Sequence, residues 1–400
     1  MAPIASPSVR HSKIHLSDLG IFPSFMPIAF TSIQPSTESS PYNYTIAMIN
    51  SIQALRFIFA LFILCEHFPI DAEHPHLISW AGAMGVSFFL ILSGFVMSIG
   101  YEDRVKAPTF SWKDFMIRRL IRLWPLHLLC LGVWIILAYG AWGSNAIHPL
   151  PLLGNALLFQ WLPIEHIGGN GVAWCLSVLI IFYAVYPLLA RLKSRHLLLT
   201  FAVFSIGLLL LEPICPTDKI YWYWYISPLS RIVDFILGML CYRFYQYLTT
   251  HNIGAIWSSL PSGCRWLVEL LPILLYTVAL IALQTNYTEY TSVTYFYVPG
   301  SLMILTFAIS SGTPNKVSLS SIISRPLLVY LGQISFSFYM IHNLVILSVK
   351  QILSRIAPGV GWELRLAITI AVTIALSILI NRYYETPIAN FLSKRLLTKR

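Results

Sequence analysis

Charge is scarce in this chain. Of its 400 residues only 10% are Asp, Glu, Lys or Arg, while 57% are hydrophobic. A soluble fold of this length cannot bury so much apolar side chain, and it needs a charged surface, so the composition excludes a soluble globular protein. Cysteine is thin as well: Cys65, Cys130, Cys175, Cys215, Cys241 and Cys264 fall singly, without CxxC or CxxxH spacing. Neither a disulfide framework nor a thiolate metal site follows from them. No internal repeat relates the two halves of the chain. The net charge of +10 would suit nucleic acid, but the basic residues sit in short connections between apolar runs and not on one stripe or tail. Membrane orientation accounts for that excess, and a nucleic-acid partner is not implied.

What the chain does contain is apolar runs. Counted against the ~20 residues that a spanning helix requires, they predict an all-α, polytopic membrane protein with about ten spans. These are 51–69, 79–99, 120–141, 172–190, 196–212, 227–246, 267–284, 297–312, 327–348 and 364–382, with a shorter apolar piece at 149–162. The connections alternate in charge. Those at 100–122, 191–195, 243–265, 313–325 and 382–400 carry most of the Lys and Arg, whereas the opposite set holds only Lys219, Lys350 and Arg355. The positive-inside rule makes the first set cytoplasmic, and an even span count places both termini there. Residues 1–47 are mixed and Pro/Ser-rich and carry no apolar stretch of signal length. They read as a disordered extension or as a misplaced start, with Met48 directly before the first span as the initiator.

The first span, INSIQALRFIFALFILCEHF, holds Arg56 and His67. Eleven residue steps on a helix advance about 16 Å and return to within about 20° of the same face. One helix therefore carries a cation near the cytosolic surface and an imidazole further out, both pointing the same way. A snorkelling arginine and a structural histidine remain the plainer readings. Glu66 is rotated by about 100° from His67 and faces a neighbouring helix or the outer interface. Arg118, Arg119 and Arg122 open the third span, the latter two one turn apart, as suits phosphate oxygens. Ser93 and Gly94 interrupt the second span, either for a ligand or for helix packing. Tyr339 and His342, in FSFYMIHN, join Ser93 as secondary candidates, with His342 ranked below His67. The run Tyr221, Trp222, Tyr223, Trp224, Tyr225 suits an interfacial aromatic belt or a sugar-stacking surface.

Taken in order, ALRFIFALFILCEHF, GVSFFLILSGFV, RRLIRLWP, WCLSVLIIFYAVYPLL, LSRIVDFILGMLCY, LGQISFSFYMIH and YYETP resemble the blocks of the acyltransferase 3 family of integral membrane O-acyltransferases. The resemblance spans about residues 50–390, which makes 48–390 the transmembrane domain and 391–400 a basic cytoplasmic tail. It implies a cytosolic acyl-CoA donor, acetyl-CoA first among them, used as co-substrate with no permanently bound cofactor and no metal. It also implies a carbohydrate hydroxyl as acceptor, on a cell-envelope or exported glycan, and a place in a bacterial inner membrane. Carried over by residue, the family's first-helix arginine and histidine fall on Arg56 and His67, and its RxxR pair on Arg119 and Arg122. Leu179 stands where family members often have a glutamate in WSLSVE.

The mechanism expected from these residues places the donor's phosphates on Arg119 and Arg122, beside Arg118, at the cytosolic mouth. His67, kept neutral by burial, serves as general base or covalent relay, while Arg56 contacts the donor or orients a neighbour. A transporter using the intramembrane arginine and histidine is the competing class, and a non-catalytic scaffold a third. The start-site reading has a direct test. A chain beginning at Met48 is expected to insert and to transfer acyl groups normally; loss of either, read by membrane fractionation and acyl transfer, would overturn it.

Overall fold

The computed structural model describes residues 49–397 apart from 72, 147, 163–168, 217–218 and 312–316. The start at Met48 and the reading of residues 1–47 lie outside the described residues. Ten principal helices organise the chain: α1 (Asn50–His67), α2 (Ala81–Lys106), α3 (Trp112–Trp142), α4 (Trp174–Arg191), α5 (Ser194–Leu211), α6 (Pro228–Thr250), α7 (Ser262–Thr285), α8 (Tyr297–Ser311), α9 (Ser335–Ile356) and α10 (Trp362–Ile380). The fold is all-α. Among the described residues nine helices are long and apolar enough to cross a membrane. The remaining principal helix is α1, whose 18 residues include Asn50, Gln53, Arg56, Glu66 and His67. These polar groups dilute its apolar character, yet α1 is enclosed by its neighbours, packing against α2, α8, α9 and the short helix Pro326–Gln333.

The exterior shows why the fold needs a bilayer. Leu198, Leu199, Val203, Ile206, Leu209 and Leu210 of α5 all point outward, and only 6% of that helix's apolar window is buried. The interior shows how closely the helices approach. A Cβ on Gly94 of α2 would stand 2.0 Å from the Phe235 carbonyl oxygen of α6, and one on Gly238 would stand 1.8 Å from that of Ile91. Glycines on both helices let the two backbones touch, the small-residue packing by which membrane helices associate. Gly94 thus serves helix packing and not ligand approach.

One span differs from expectation. The run 327–348 is two helices, Pro326–Gln333 and α9, separated at Ile334. A Cβ on Gly332 would meet the Gln53 carbonyl oxygen of α1 at 1.8 Å, so the short helix lies directly on α1 and the chain turns before the span begins. The span consequently runs on to Ile356 and lifts Lys350 and Arg355 out of the connection and onto α9. At the other end, α10 passes through a π-turn, Asn381–Glu385, into a further helix, Thr386–Leu396. That turn brings Glu385 inward, where it is 4% exposed.

The α2–α6 contact is testable. Gly94→Ala and Gly238→Ala are each expected to destabilise the purified protein by about 1–3 kcal/mol through overpacking. Gly207→Ala, at a glycine with no atom within 4 Å of its added Cβ, should be neutral. Thermal unfolding in detergent reads the difference, and equal behaviour of the three variants would refute the close crossing.

Candidate active site

A cavity of about 180 Å³ lies between α1, α2, α3, α4 and α9. It collects five of the residues singled out from sequence: Arg56, Ser93, Arg119, Arg122 and Tyr339. Arg118 does not line it. Arg56 reaches Gln53 Oε1 with one guanidinium nitrogen at 3.0 Å, an i, i+3 pair that turns it along its own helix into the cavity. Arg119 lies over the rings of Tyr101 and Phe115, at 4.7 and 5.3 Å, and within 5.8 Å of Tyr183. Its Nε is buried without a hydrogen-bond partner. Aromatic faces hold this cation by its delocalised charge and leave its N–H groups free for a ligand.

Arg122 is held differently. It is ion-paired with Glu385 and stands 5.5 Å from the Phe336 ring. The second carboxylate oxygen of Glu385 accepts from the Ser337 hydroxyl at 2.6 Å and from the Asn381 amide at 3.2 Å. Sequence reasoning assigned no role to Glu385, although it is the lone acid of YYETP at the end of the last apolar run. Leu179 lines the same cavity with an apolar side chain, so the carboxylate of this site comes from Glu385 and not from α4. A second overlooked pair lies on α6, where Arg231 and Asp234 approach to 3.4 Å with no exposure and Arg231 donates to the Ser87 hydroxyl at 2.9 Å.

Tyr339 closes the cavity. Its hydroxyl donates to the Val172 carbonyl at 2.8 Å, and its ring lies 6.2 Å from that of Phe89 and 5.8 Å from His342. Ser93 is likewise occupied, donating to the Phe89 carbonyl at 2.7 Å. Beyond Tyr339 come the histidines. His342 Nδ1 lies 2.5 Å from the Tyr339 carbonyl, and its Nε2 lies 3.3 Å from His67 Nδ1. His67 Nδ1 also lies 2.9 Å from the Ile63 carbonyl. A carbonyl oxygen can only accept, so both Nδ1 atoms carry hydrogen, and the lone pair of His342 Nε2 faces His67. The remaining lone pair, on His67 Nε2, is thereby left free for chemistry.

Burial separates the two histidines. His67 is exposed at the end of α1, whereas His342 is fully buried. The cause is position: His67 is the last residue of its helix, while His342 sits two turns into α9 beneath α1. His67 therefore owes its orientation to His342 and Ile63, not to burial. Glu66 turns to α2 as its rotation implied, accepting the Ala81 N–H at 3.0 Å. The aromatic run divides by side: Tyr221 and Tyr223 are exposed, Trp224 is buried, and Tyr225 packs on Trp174 at 5.2 Å.

Comparison with known proteins places these features in a family. The family model described as "Acyltransferase domain" matches residues 49–382. Acyltransferase MdmB of Streptomyces mycarofaciens is 26% identical over 296 residues, which are 67% of this chain and 69% of that protein. Proteins of Staphylococcus aureus strains COL and MSSA476, each named "Putative O-acetyltransferase", are 25% identical over 336 residues, 76% of this chain and 52% of theirs. The chain thus spans about half the length of these staphylococcal relatives. No solved structure matches. With the family model covering the whole helical bundle from α1 to the end of α10, the chain belongs to the acyltransferase 3 family and is a multi-pass membrane acyltransferase.

Proposed function

We propose that the protein moves an acyl group, acetyl in the first instance, from cytosolic acyl-CoA to a hydroxyl of a cell-envelope or exported glycan. The observation that carries this reading is the convergence of Arg56, Arg119 and Arg122 on one cavity that ends a single turn before His342. Three guanidiniums against one carboxylate leave the cavity net positive, which suits the phosphates of the donor. The loop charges put this end of the bundle toward the cytosol, where acyl-CoA is made. The neutral pantetheine arm would extend from the arginines toward Tyr339, carrying the thioester to the histidines. Arg122 would then exchange part of its bond with Glu385 for a donor oxygen, while Arg119, held only by ring faces, needs to give up no anion.

His67 Nε2 takes the proton from the acceptor hydroxyl as its oxygen attacks the thioester carbonyl. The carbon–sulfur bond breaks, and the departing thiolate recovers that proton from the imidazolium. His342 holds His67 through Nε2, the orienting role that a third group plays toward a catalytic base. A covalent relay would use the same lone pair, with acyl-imidazole formed first and the hydroxyl attacking it second.

Two sets of variants test the assignment through different constants. His67→Ala should lower turnover by about two orders of magnitude or more with donor KM little changed. His342→Ala should lower it less, because the Ile63 carbonyl still orients His67. Near-normal turnover in His67→Ala would refute the base. Replacing Arg119 and Arg122 by lysine preserves charge and loses the planar fork, so donor affinity should fall while insertion persists. Each lost contact corresponds to about 1.5–3 kcal/mol, or roughly ten-fold or more in acyl-CoA affinity. Glutamine should weaken binding further and flatten its salt dependence. Equal acyl-CoA affinity in wild type and both variants across ionic strength would move the phosphate site elsewhere.

A further inference from the structure

A second cavity, of about 240 Å³, opens past the histidine pair. Along α1 the order is Arg56, His67, then Phe68 in the wall of this second cavity; along α9 it is Tyr339, His342, then Ile346. The histidines therefore stand between two cavities, the first on the cytosolic side and the second on the outer side. Two cations line the outer one: Lys350 on α9 and Arg365 on α10. Positive charge is least expected there, since orientation in the membrane calls for it on the other side.

Neither cation is ion-paired among the described residues. The Nε of Arg365 is buried and has no hydrogen-bond partner. Thr369, one turn further along α10, spends its hydroxyl on the Arg365 carbonyl at 2.7 Å and does not satisfy the guanidinium. The wall includes one acid, Asp71, and it is already engaged. Asp71 Oδ1 accepts the main-chain N–H of Glu73 and of His74, at 2.9 and 2.7 Å, and lies 2.9 Å from the His74 ring. Two cations that no carboxylate pairs with, against the single charge of Asp71, leave the pocket net positive and suit an anion.

We propose that this outer pocket holds the acceptor, and that the acceptor is acidic, carrying a carboxylate or a phosphate ester close to the hydroxyl that receives the acyl group. Arg365 and Lys350 grip the anionic group, and the hydroxyl is thereby presented to His67 one residue before Phe68. That the ligand is the acceptor rests on the acyl-transfer reading; that it is anionic rests on the pocket alone.

The test uses the full chain purified in detergent, titrated with glucuronate, glucose 6-phosphate and glucose by calorimetry. At least one acidic sugar is expected to bind roughly ten-fold or more tightly than glucose, and comparison of the two acids tells carboxylate from phosphate. Arg365→Gln and Lys350→Gln should each erase the preference, and Arg365→Lys, which preserves the charge, should retain part of it. Melting temperatures of the variants guard against loss by unfolding. Equal binding of the three sugars, binding of none, or an unchanged preference in both glutamine variants overturns the proposal. So does displacement of the acidic sugars by phosphatidylglycerol added to the micelles, which would make the pocket a lipid headgroup site. Acetyl-CoA titration of the same wild-type preparation separates the two readings. Donor binding without acid preference sinks the acceptor assignment, and acid preference without donor binding sinks the donor assignment.

Discussion

A charge placed among membrane helices has no water to turn to, so the protein itself must supply whatever compensates it. A single charged side chain at the centre of a spanning helix costs about 2.5–3.5 kcal/mol on insertion scales, and each one kept is kept with a partner or facing a cavity. This constraint explains the arrangement around α1. Arg122 is bound by Glu385, Arg231 by Asp234 and Ser87, and Arg119 by a set of aromatic faces. Arg56, the cation of α1, opens onto the same cavity as Arg119 and Arg122. A buried pair is weak evidence for stability, because desolvation offsets the attraction. The positions of these pairs, at cavities and between helices, speak for function instead.

Separation along the membrane normal is the second consequence. The arginines gather at one end of α1 and the imidazoles at the other, about 16 Å apart by helix rise. Tyr339 stands between them, tied to the Val172 carbonyl and flanked by Phe89. Under the proposed function, an anionic donor would meet its cations without approaching the outer side, and only its uncharged arm would need to pass the aromatic neck. On the same proposal the hydroxyl to be acylated would arrive from the opposite direction, so donor and acceptor would share the histidines and little else.

Close backbone contact holds this geometry in place. Gly94 with Gly238 brings α2 against α6, and Gly332 seats a short helix on α1. Between apolar helices in lipid, the hydrophobic effect provides little net attraction, so fit and contact area decide association. The apolar outer faces of α5 and α7 show the complementary side of that economy: they pack on little protein and meet the hydrocarbon.

Much of this was legible in the chain before folding. Apolar runs set the approximate number of spans, the bias of Lys and Arg gave an expected direction, and helical periodicity put Arg119 with Arg122 on one side of α3, where both line the cavity, because these properties are local to one segment. What the chain could not reveal was partnership. Glu385 meets Arg122 across 263 residues, and His342 meets His67 across 275. Lys350 and Arg365 join in one pocket only because α9 and α10 pack side by side. The break at Ile334 and the unequal burial of the two histidines belong to the same class. Each depends on how far one helix slides and turns against another, which is decided where side chains and glycines interlock between segments, and the hydropathy of a single segment contains no record of it.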